Sequence, residues 1–258
     1  MNRPAQHPAS TTDARKRGTE ILTVGTWNAG NGTDTDGREV MDLVDALCGQ
    51  EFSDRGRLLH LYRTDGYKVI CPPSLGAPAT PLIYDPRTLL FVRPLLVPML
   101  QGRELDWGPG TGPDHGKPKW LVGGYFIHKP SRRRVAIAST HKPAGHKPGN
   151  QREDAATLQS RRSVEAFRGY TGIPIIGADN NAEPDSPCMD PLRHGGWKID
   201  QLVGKRIPTH GPGWCPDHIC WRDDDRISLE YHRVIANRSD HRADIATFAL
   251  TVRAGGTR

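Results

Sequence analysis

The sequence predicts an α/β protein in which two mixed β-sheets pack together with helices on the outside. Two observations lead there. Strand-type segments outnumber helical ones, and several successive strands could pair as neighbours. A doubly wound parallel sheet, which needs a crossover between consecutive strands, fits less well.

Taken in order, residues 1 to 19 are polar, dotted with Pro, Ser, Thr and charge, and follow no period, so they read as a mobile basic tail ahead of a domain spanning 20 to 258. ILTVGTWNAG alternates Leu22, Val24 and Thr26 against Ile21, Thr23 and Gly25 and is a strand. Val40, Leu43, Val44 and Leu47 recur at i, i+3, i+4 and i+7, which predicts an amphipathic helix with Asp42 and Asp45 outward and Gly49 marking its end. TPLIYDPRTLLFV holds two short apolar runs around Asp85 and Pro86, a hairpin signal. Residues 101 to 118, rich in Gly and Pro, form a long loop of the kind that more often carries function than idles. RRRVAIASTHKP is a strand, QREDAATLQSRRSVEAF a surface helix, and GIPIIGAD a buried strand by its continuous apolar run. Residues 187 to 216 resist assignment, and DHICWR and HRADIATFALTV close the chain as strands.

Bulk properties narrow the function. The chain has 258 residues, enough for one large domain, and no apolar run long enough to cross a bilayer. No secretory signal precedes the domain, so the cytoplasm is the expected compartment. Five irregularly spaced cysteines suit reduced thiols, and CPDHIC lacks the second matching pair that a zinc site needs. A formal charge of +6 and a pI near 9.2 point toward a polyanionic partner.

Polar residues recur at strand ends, where the sheets of α/β proteins build their sites. Asn28 follows TVGTW, His141 follows VAIAST, and Asp179 and Asn181 follow IPIIGA. Glu51, Asp217 and the pair Asp240 and His241 complete the set. A hard cation such as Mg²⁺ takes carboxylates plus water and substrate phosphate, a role that suits Glu51 and Asp240. A phosphodiester attacked by water needs a base, and a histidine held by a carboxylate is suited to it. His241 with Asp217, on adjoining terminal strands, is such a pair, with Asp200 the competing orienter. Asn28, Asn181 and His141 then supply fixed donors for charge developing on the phosphoryl oxygens.

The motifs TWNAG, QEF, STHKP, GADNN, DHI and SDHRAD, in that order over residues 20 to 252, resemble those of the endonuclease/exonuclease/phosphatase superfamily, which includes DNase I-like nucleases and exonuclease III-type repair enzymes. The resemblance implies a four-layer α/β sandwich and a metal-assisted phosphoester hydrolase using Mg²⁺, with Mn²⁺ an alternative. It makes Glu51 a metal ligand, Asn28 a metal-side or phosphate-side group, and His141 a phosphate contact. Asp179, beside Asn181, would orient or activate the water or stabilise the leaving side; Asp217 would orient His241, and Asp240 would support the metal or a second cation. Tyr84 falls where such enzymes often place a phosphate-contacting tyrosine. Gly49 and Asn180 depart from the pattern, since both stand where large apolar residues are usual.

Basic residues at 132 to 134, Lys142, His146, Lys147, Arg152, Arg161 and Arg162 could line a phosphate track, with Lys142, Lys147 and Arg152 the foremost candidates. Trp107, Trp120, Trp197 and Trp214 could stack bases. The expected function is therefore hydrolysis of nucleic acid, DNA before RNA, with no membrane and no protein partner implied. The alternatives are a phosphatase or phosphodiesterase of small or lipid-linked phosphoesters, and a non-catalytic nucleic-acid-binding module.

Overall fold

The structure is a computed structural model that describes residues 18–30, 38–52, 63–71, 80–105, 118–145, 151–237 and 239–253. Among these residues two six-stranded mixed sheets face each other. The first contains β1 (Thr19–Asn28), β2 (Ala46–Gln50), β3 (Lys68–Ile70), β4 (Leu82–Tyr84), β11 (Ile227–Ile235) and β12 (Ala243–Thr251), in the order β11-β12-β1-β2-β4-β3. The second contains β5 (Leu89–Leu100), β6 (Lys119–His128), β7 (Arg133–His141), β8 (Ile173–Asp179), β9 (Trp197–Ile199) and β10 (Asp217–Arg222), in the order β5-β6-β7-β8-β10-β9. β1 runs parallel to β2, and β7 parallel to β8. The helices α1 (Arg38–Met41), α2 (Gln151–Ala166), α3 (Asp190–His194) and α4 (Asp200–Val203) complete the elements used below.

The alternation along β1 sets the layers. Leu22 and Val24 project between the sheets to meet Phe248, Val135, Ile175 and Trp221, whereas Trp27 projects to the opposite face with Val40, Met41 and Ile245. Trp221 and Phe248 meet edge to face at 5.1 Å across the inner layer. The outer face of the second sheet places Ala136, Ala138 and Ile176 against Ala156, Phe167 and Leu192. Each buried Val, Leu, Ile, Met or Phe side chain among them stabilises the sandwich by about 1.5–3 kcal/mol relative to exposure.

Two expected elements are corrected. The helix over 40–47 is only one short turn, α1, after which the chain becomes the strand β2. β2 is buried on both faces, Ala46 and Cys48 inward and Leu47 outward, so its apolar residues merged with those of α1 into a false helical period. The Asp85–Pro86 hairpin does not form either. β4 pairs with β2 and β3 in the first sheet and β5 pairs with β6 in the second, so this turn carries the chain between sheets. The strand expected within 132–143 and the helix expected over 151–167 are present as β7 and α2. The expected tail lies almost wholly outside the described residues, since β1 starts at Thr19.

The sheets approach closely at the end of β8. A Cβ at Gly177 would stand 2.7 Å from Cys48 Cβ and 3.0 Å from Thr26 Cβ of the facing sheet. Gly49 has a similar origin: the Phe52 ring lies 2.4 Å from where its Cβ would be, so Phe52 fills the space a large side chain at 49 would take. Phe52 itself is fully buried and meets Trp27 edge to face at 5.8 Å. Gly49→Leu is therefore expected to cost about 2 kcal/mol or more, and Phe52→Ala about 3 kcal/mol. Combined, they should cost at least about 1 kcal/mol less than the sum of the two. Urea midpoints of the four proteins check this, and strict additivity would show that the ring and position 49 do not compete for one space.

Candidate functional site

Strand direction and register gather the polar strand ends on one rim. In the second sheet His141 ends β7 and pairs with Asp179 at the end of β8, and Asp179 pairs with Asp217 at the start of antiparallel β10. In the facing sheet Asn28 ends β1 opposite Gln50, the residue before Glu51, while Thr26 pairs with Asp244, which puts His241 at the same end. His241 and Asp217 thus belong to opposite sheets, a correction to their expected place on adjoining strands. They meet across the interface, with His241 Nδ1 2.9 Å from Asp217 Oδ2.

Asp179 is the hub. Its Oδ2 accepts Asn28 Nδ2 at 2.8 Å and lies 3.4 Å from His141 Nε2 and 3.9 Å from His241 Nε2. Its Oδ1 accepts the backbone N–H of Asn181 at 2.8 Å, closing a turn in which Asn181 adopts φ 49°. Asn181 Nδ2 then lies 3.0 Å from His141 Nε2 and donates to the Lys142 carbonyl at 3.1 Å. Asn180 is buried, its N–H donated to Pro216. Glu51 faces the same centre with Oε1 3.2 Å from Asn28 Nδ2 and 3.8 Å from His141 Nε2. Its φ of 55° is left-handed, which is costly for a residue with a Cβ.

These groups set one another's charge. Burial would push the Asp179 carboxyl up, but the charge and hydrogen bond of His141, the charge of His241 and the Asn28 amide hold it well below the usual carboxylate range. Burial and then the neighbouring Asp179 charge push Asp217 up, against the opposing pull of His241. Burial alone would lower His241, yet the hydrogen bond and charge of Asp217, with the charges of Asp179 and Asp240, lift it to about 9. In the metal-free chain at neutral pH, His241 is accordingly a cation between ionised acids.

Three groups of side chains could hold a metal ion: Glu51 with His141 and Asp179; Asp179 with Asp217 and His241; and His210 with Asp240 and His241. Within each group the ligand atoms lie within 4.8 Å of one another. The donor chemistry fits a hard cation at the first, because Glu51 and Asp179 bring carboxylate oxygens and Glu51 keeps part of its side chain open to solvent. Asp240 groups with the histidines and not with Glu51. Asn28 does not fit as a ligand, because its Oδ1, the metal-binding atom, accepts Gly30 N–H at 2.8 Å and turns the amide nitrogen toward the acids. It serves as a donor.

Three other expected site residues stand elsewhere. Tyr84 pairs with Ala46 at the far end of β2 from Glu51 and packs inside the sandwich, 4.9 Å from Phe126. Lys142 is buried, donating from Nζ to Ser160 Oγ at 2.7 Å with Met189 Sδ at 2.9 Å, so it cannot line an exposed phosphate track. Arg152 donates to the Ala144 carbonyl at 2.9 Å. Lys147, His146 and Trp107 lie outside the described residues. Arg132, Arg133 and Arg134 sit at the start of β7, the opposite rim from His141. Trp197 is core.

Several contributors escaped the sequence reading. Ser239 Oγ donates to the Asn28 carbonyl at 2.8 Å and accepts His241 N–H at 3.1 Å, tying the His241 loop to β1. Its signal was the SDH triplet, of which only the Asp and His were weighed. Gln50, beside Glu51, donates to Ser139 Oγ at 3.1 Å and bridges the sheets beneath the site. His210 stacks edge-on against His241 at 4.6 Å and has no sequence signal of its own, because its loop is irregular.

The architecture and this rim define an α/β sandwich protein with a histidine and carboxylate centre at the sheet ends. No family model and no curated sequence matches the chain. Solved structures do resemble it. An endonuclease/exonuclease/phosphatase from Bacteroides vulgatus superposes with a TM-score of 0.71 at 13% identity, over 90% of this chain and 99% of that one. The Bacteroides thetaiotaomicron mannosyl-6-phosphatase Bt3783 gives 0.65 at 16%, over 88% and 99%. D. rerio TDP2 complexed with single strand DNA product gives 0.65 at 14%, over 88% and 98%. The resemblance carried by the six motifs holds at the level of fold: this chain has the DNase I-like sandwich of the endonuclease/exonuclease/phosphatase superfamily.

His241 offers a test of the electrostatics. A histidine lifted from 6.5 to about 9 contributes stability that is fully present below pH 6.5 and lost as pH rises through about 9. In EDTA buffer the stability difference between the wild type and His241→Gln should therefore be largest near pH 6 and fade toward pH 9. A difference that stays flat or grows over that range would show that Asp217 does not hold His241 as a cation.

Proposed function

We propose that the chain is a divalent-metal-dependent phosphoesterase that hydrolyses phosphodiester bonds of nucleic acid, DNA before RNA. The observation that carries this reading is the convergence of Asp179, Asn28, His141, Glu51, Asp217 and His241 from two sheets on one rim. Net charge supports a polyanionic substrate. So does the neighbour named for a complex with single strand DNA product, although another neighbour is named for a sugar phosphatase.

Glu51 and Asp179 would hold Mg²⁺ or Mn²⁺, which when bound neutralises phosphoryl oxygens and polarises phosphorus. The chain's own groups do the rest. His241, cationic through Asp217, donates from Nε2 toward a phosphoryl oxygen. Asn28 and Asn181 present amide N–H groups toward the same charge, fixed in advance by their bonds to Gly30, Asp179 and Lys142. Asp179 stays ionised and accepts from the attacking water, orienting it in line with the leaving oxygen. Of the two water activators the sequence left open, the charge state of His241 favours Asp179.

Labelled single-stranded DNA, duplex DNA, abasic duplex, RNA and a sugar 6-phosphate, each with Mg²⁺, Mn²⁺ or EDTA, test the proposal. The expectation is DNA cleavage that EDTA abolishes and that Asp179→Asn and His241→Ala each lower about 10²–10⁴-fold. Turnover of the sugar phosphate alone would replace the nuclease reading with a monoesterase. Nucleic-acid binding indifferent to EDTA, without turnover in any arm, would leave a binding module.

A further inference from the structure

The rim opposite the catalytic groups carries a second chemistry. A cleft of about 290 Å³ opens there, lined by Arg133, Arg134, Thr171, Gly172, Arg226 and Arg253. The four arginines come from the start of β7, the start of β11 and the end of β12, far apart in sequence and brought together by the sandwich. We infer that this arginine cleft binds a small polyphosphate-type anion, the di- or triphosphate moiety of a soluble molecule.

Charge balance is the first argument. Arg226 is neutralised, with Nε 2.6 Å from Asp224 Oδ1 and a second guanidinium nitrogen on the other carboxylate oxygen. Asp225 lies near the same arginine. Arg133, Arg134 and Arg253 have no carboxylate partner among the described residues. Three like charges facing one concave space repel one another, and an anion seated among them relieves that repulsion.

Preorganisation is the second. The guanidiniums of Arg133 and Arg134 are held by neutral acceptors that fix their positions without cancelling their charge. Arg133 Nε and Nη2 donate to Thr251 O and Oγ1, both at 2.7 Å. Arg134 donates to Thr171 Oγ1 at 2.5 Å, and Arg226 donates to the Thr171 carbonyl at 2.9 Å, so one threonine spaces two of the forks. Forks fixed in this way lose less freedom when they engage phosphate oxygens. Gly172 is required beside them, because a Cβ there would stand 2.3 Å from Tyr170 Oη and 2.6 Å from the Arg134 carbonyl.

Size and place choose the occupant. The cleft has room for about ten waters, which suits a short phosphate chain. It is separated from His141 by the length of β7, about 26 Å at a strand rise of roughly 3.3 Å, so a phosphoryl group held beside His141 does not touch it. The chain's own tail is a poor occupant on charge. Residues 1–17 carry Arg3, Arg15, Lys16 and Arg17 against Asp13 alone.

Calorimetric titration of the full chain in EDTA tests the inference, with inorganic tripolyphosphate, a nucleoside triphosphate, orthophosphate and a DNA oligonucleotide as probes. The comparison proteins are Arg134→Glu with Arg253→Glu, both exposed positions, and His241→Ala on the catalytic rim. Saturable one-to-one binding of tripolyphosphate is expected, weakened about tenfold or more in the double arginine variant and unchanged in His241→Ala. Equal affinity for the nucleoside triphosphate means the phosphates are the whole epitope, and tighter binding means a nucleoside adds contacts; either supports the cleft. No tripolyphosphate binding by the wild type overturns it. So does binding lost in His241→Ala and kept in the arginine variant, or an arginine variant that loses only the DNA oligonucleotide. Should the glutamate pair unfold the chain by circular dichroism, Arg134→Gln with Arg253→Gln gives the same comparison without charge reversal.

Discussion

The structure depends on the burial of two carboxylates side by side. Asp179 and Asp217 are register partners on adjacent strands, and both are almost completely withdrawn from solvent. An isolated buried carboxylate is prohibitively costly, so each needs a cation or several hydrogen bonds. Without the first sheet, the described residues offer His141 and the Asn181 N–H to Asp179, and the Thr209 hydroxyl to Asp217. The first sheet supplies Asn28 to Asp179 and His241 to Asp217, and so the two sheets must close in one relative placement for either acid to be tolerated. The polar rim is therefore both the candidate site and a lock between the halves of the sandwich. Beneath it, Gln50 bonding to Ser139, and Ser139 Oγ donating to the Gly49 carbonyl at 2.7 Å, repeat the same device in neutral form.

The same constraint explains a gradient of charge running inward. Burial raises Asp244 and the Asp217 charge adds to it; burial and then the Asp244 charge raise Asp200. At the rim, two histidines and an amide balance Asp179 and Asp217, which stay ionised at neutral pH. Deeper in, no further cation faces Asp200 among the described residues, and burial with the nearby Asp244 charge drives its carboxyl far above the ordinary range. A buried acid without a cation keeps its proton, and the Asp200–Asp244 pair does so while Gln201 donates to Asp244 at 3.0 Å. Asp200 is thus occupied inside the fold and is not the partner of His241.

Which parts were legible follows from what each signal encodes. Strand ends such as THKP and GADNN mark their own position, because an apolar run stopping at a polar residue is a local event. The convergence of Asn28, Asp179 and His241 on one rim was expected from their strand-end positions, but the pairing of partners across two sheets is a product of register that no single segment encodes. β2 was misread because a strand buried on both faces loses the alternation that identifies strands. The turn at Asp85 was misread because the same residues serve a hairpin and a switch between sheets: Asp85 Oδ1 caps Arg87 N–H at 2.7 Å in either case. Lys142 was misread because polarity next to a loop suggests solvent, while the cavity between β7, α2 and the turn before α3 takes the whole side chain.

Composition misleads in a related way, since a net charge has no address. The formal +6 pointed toward a polyanionic partner, yet a cleft lined by four arginines stands at the end of β7 away from the candidate site. At the candidate site the described donors include the amides of Asn28 and Asn181 and the side chains of His141, His210 and His241, set among acids. Such donors act over hydrogen-bond distances. In the proposed function they would act on a phosphoryl group already in place and do little to attract a chain of phosphates from afar. The sandwich thereby separates two features that the sequence totals combine: short-range donors at one rim, and an arginine-lined cleft at the other.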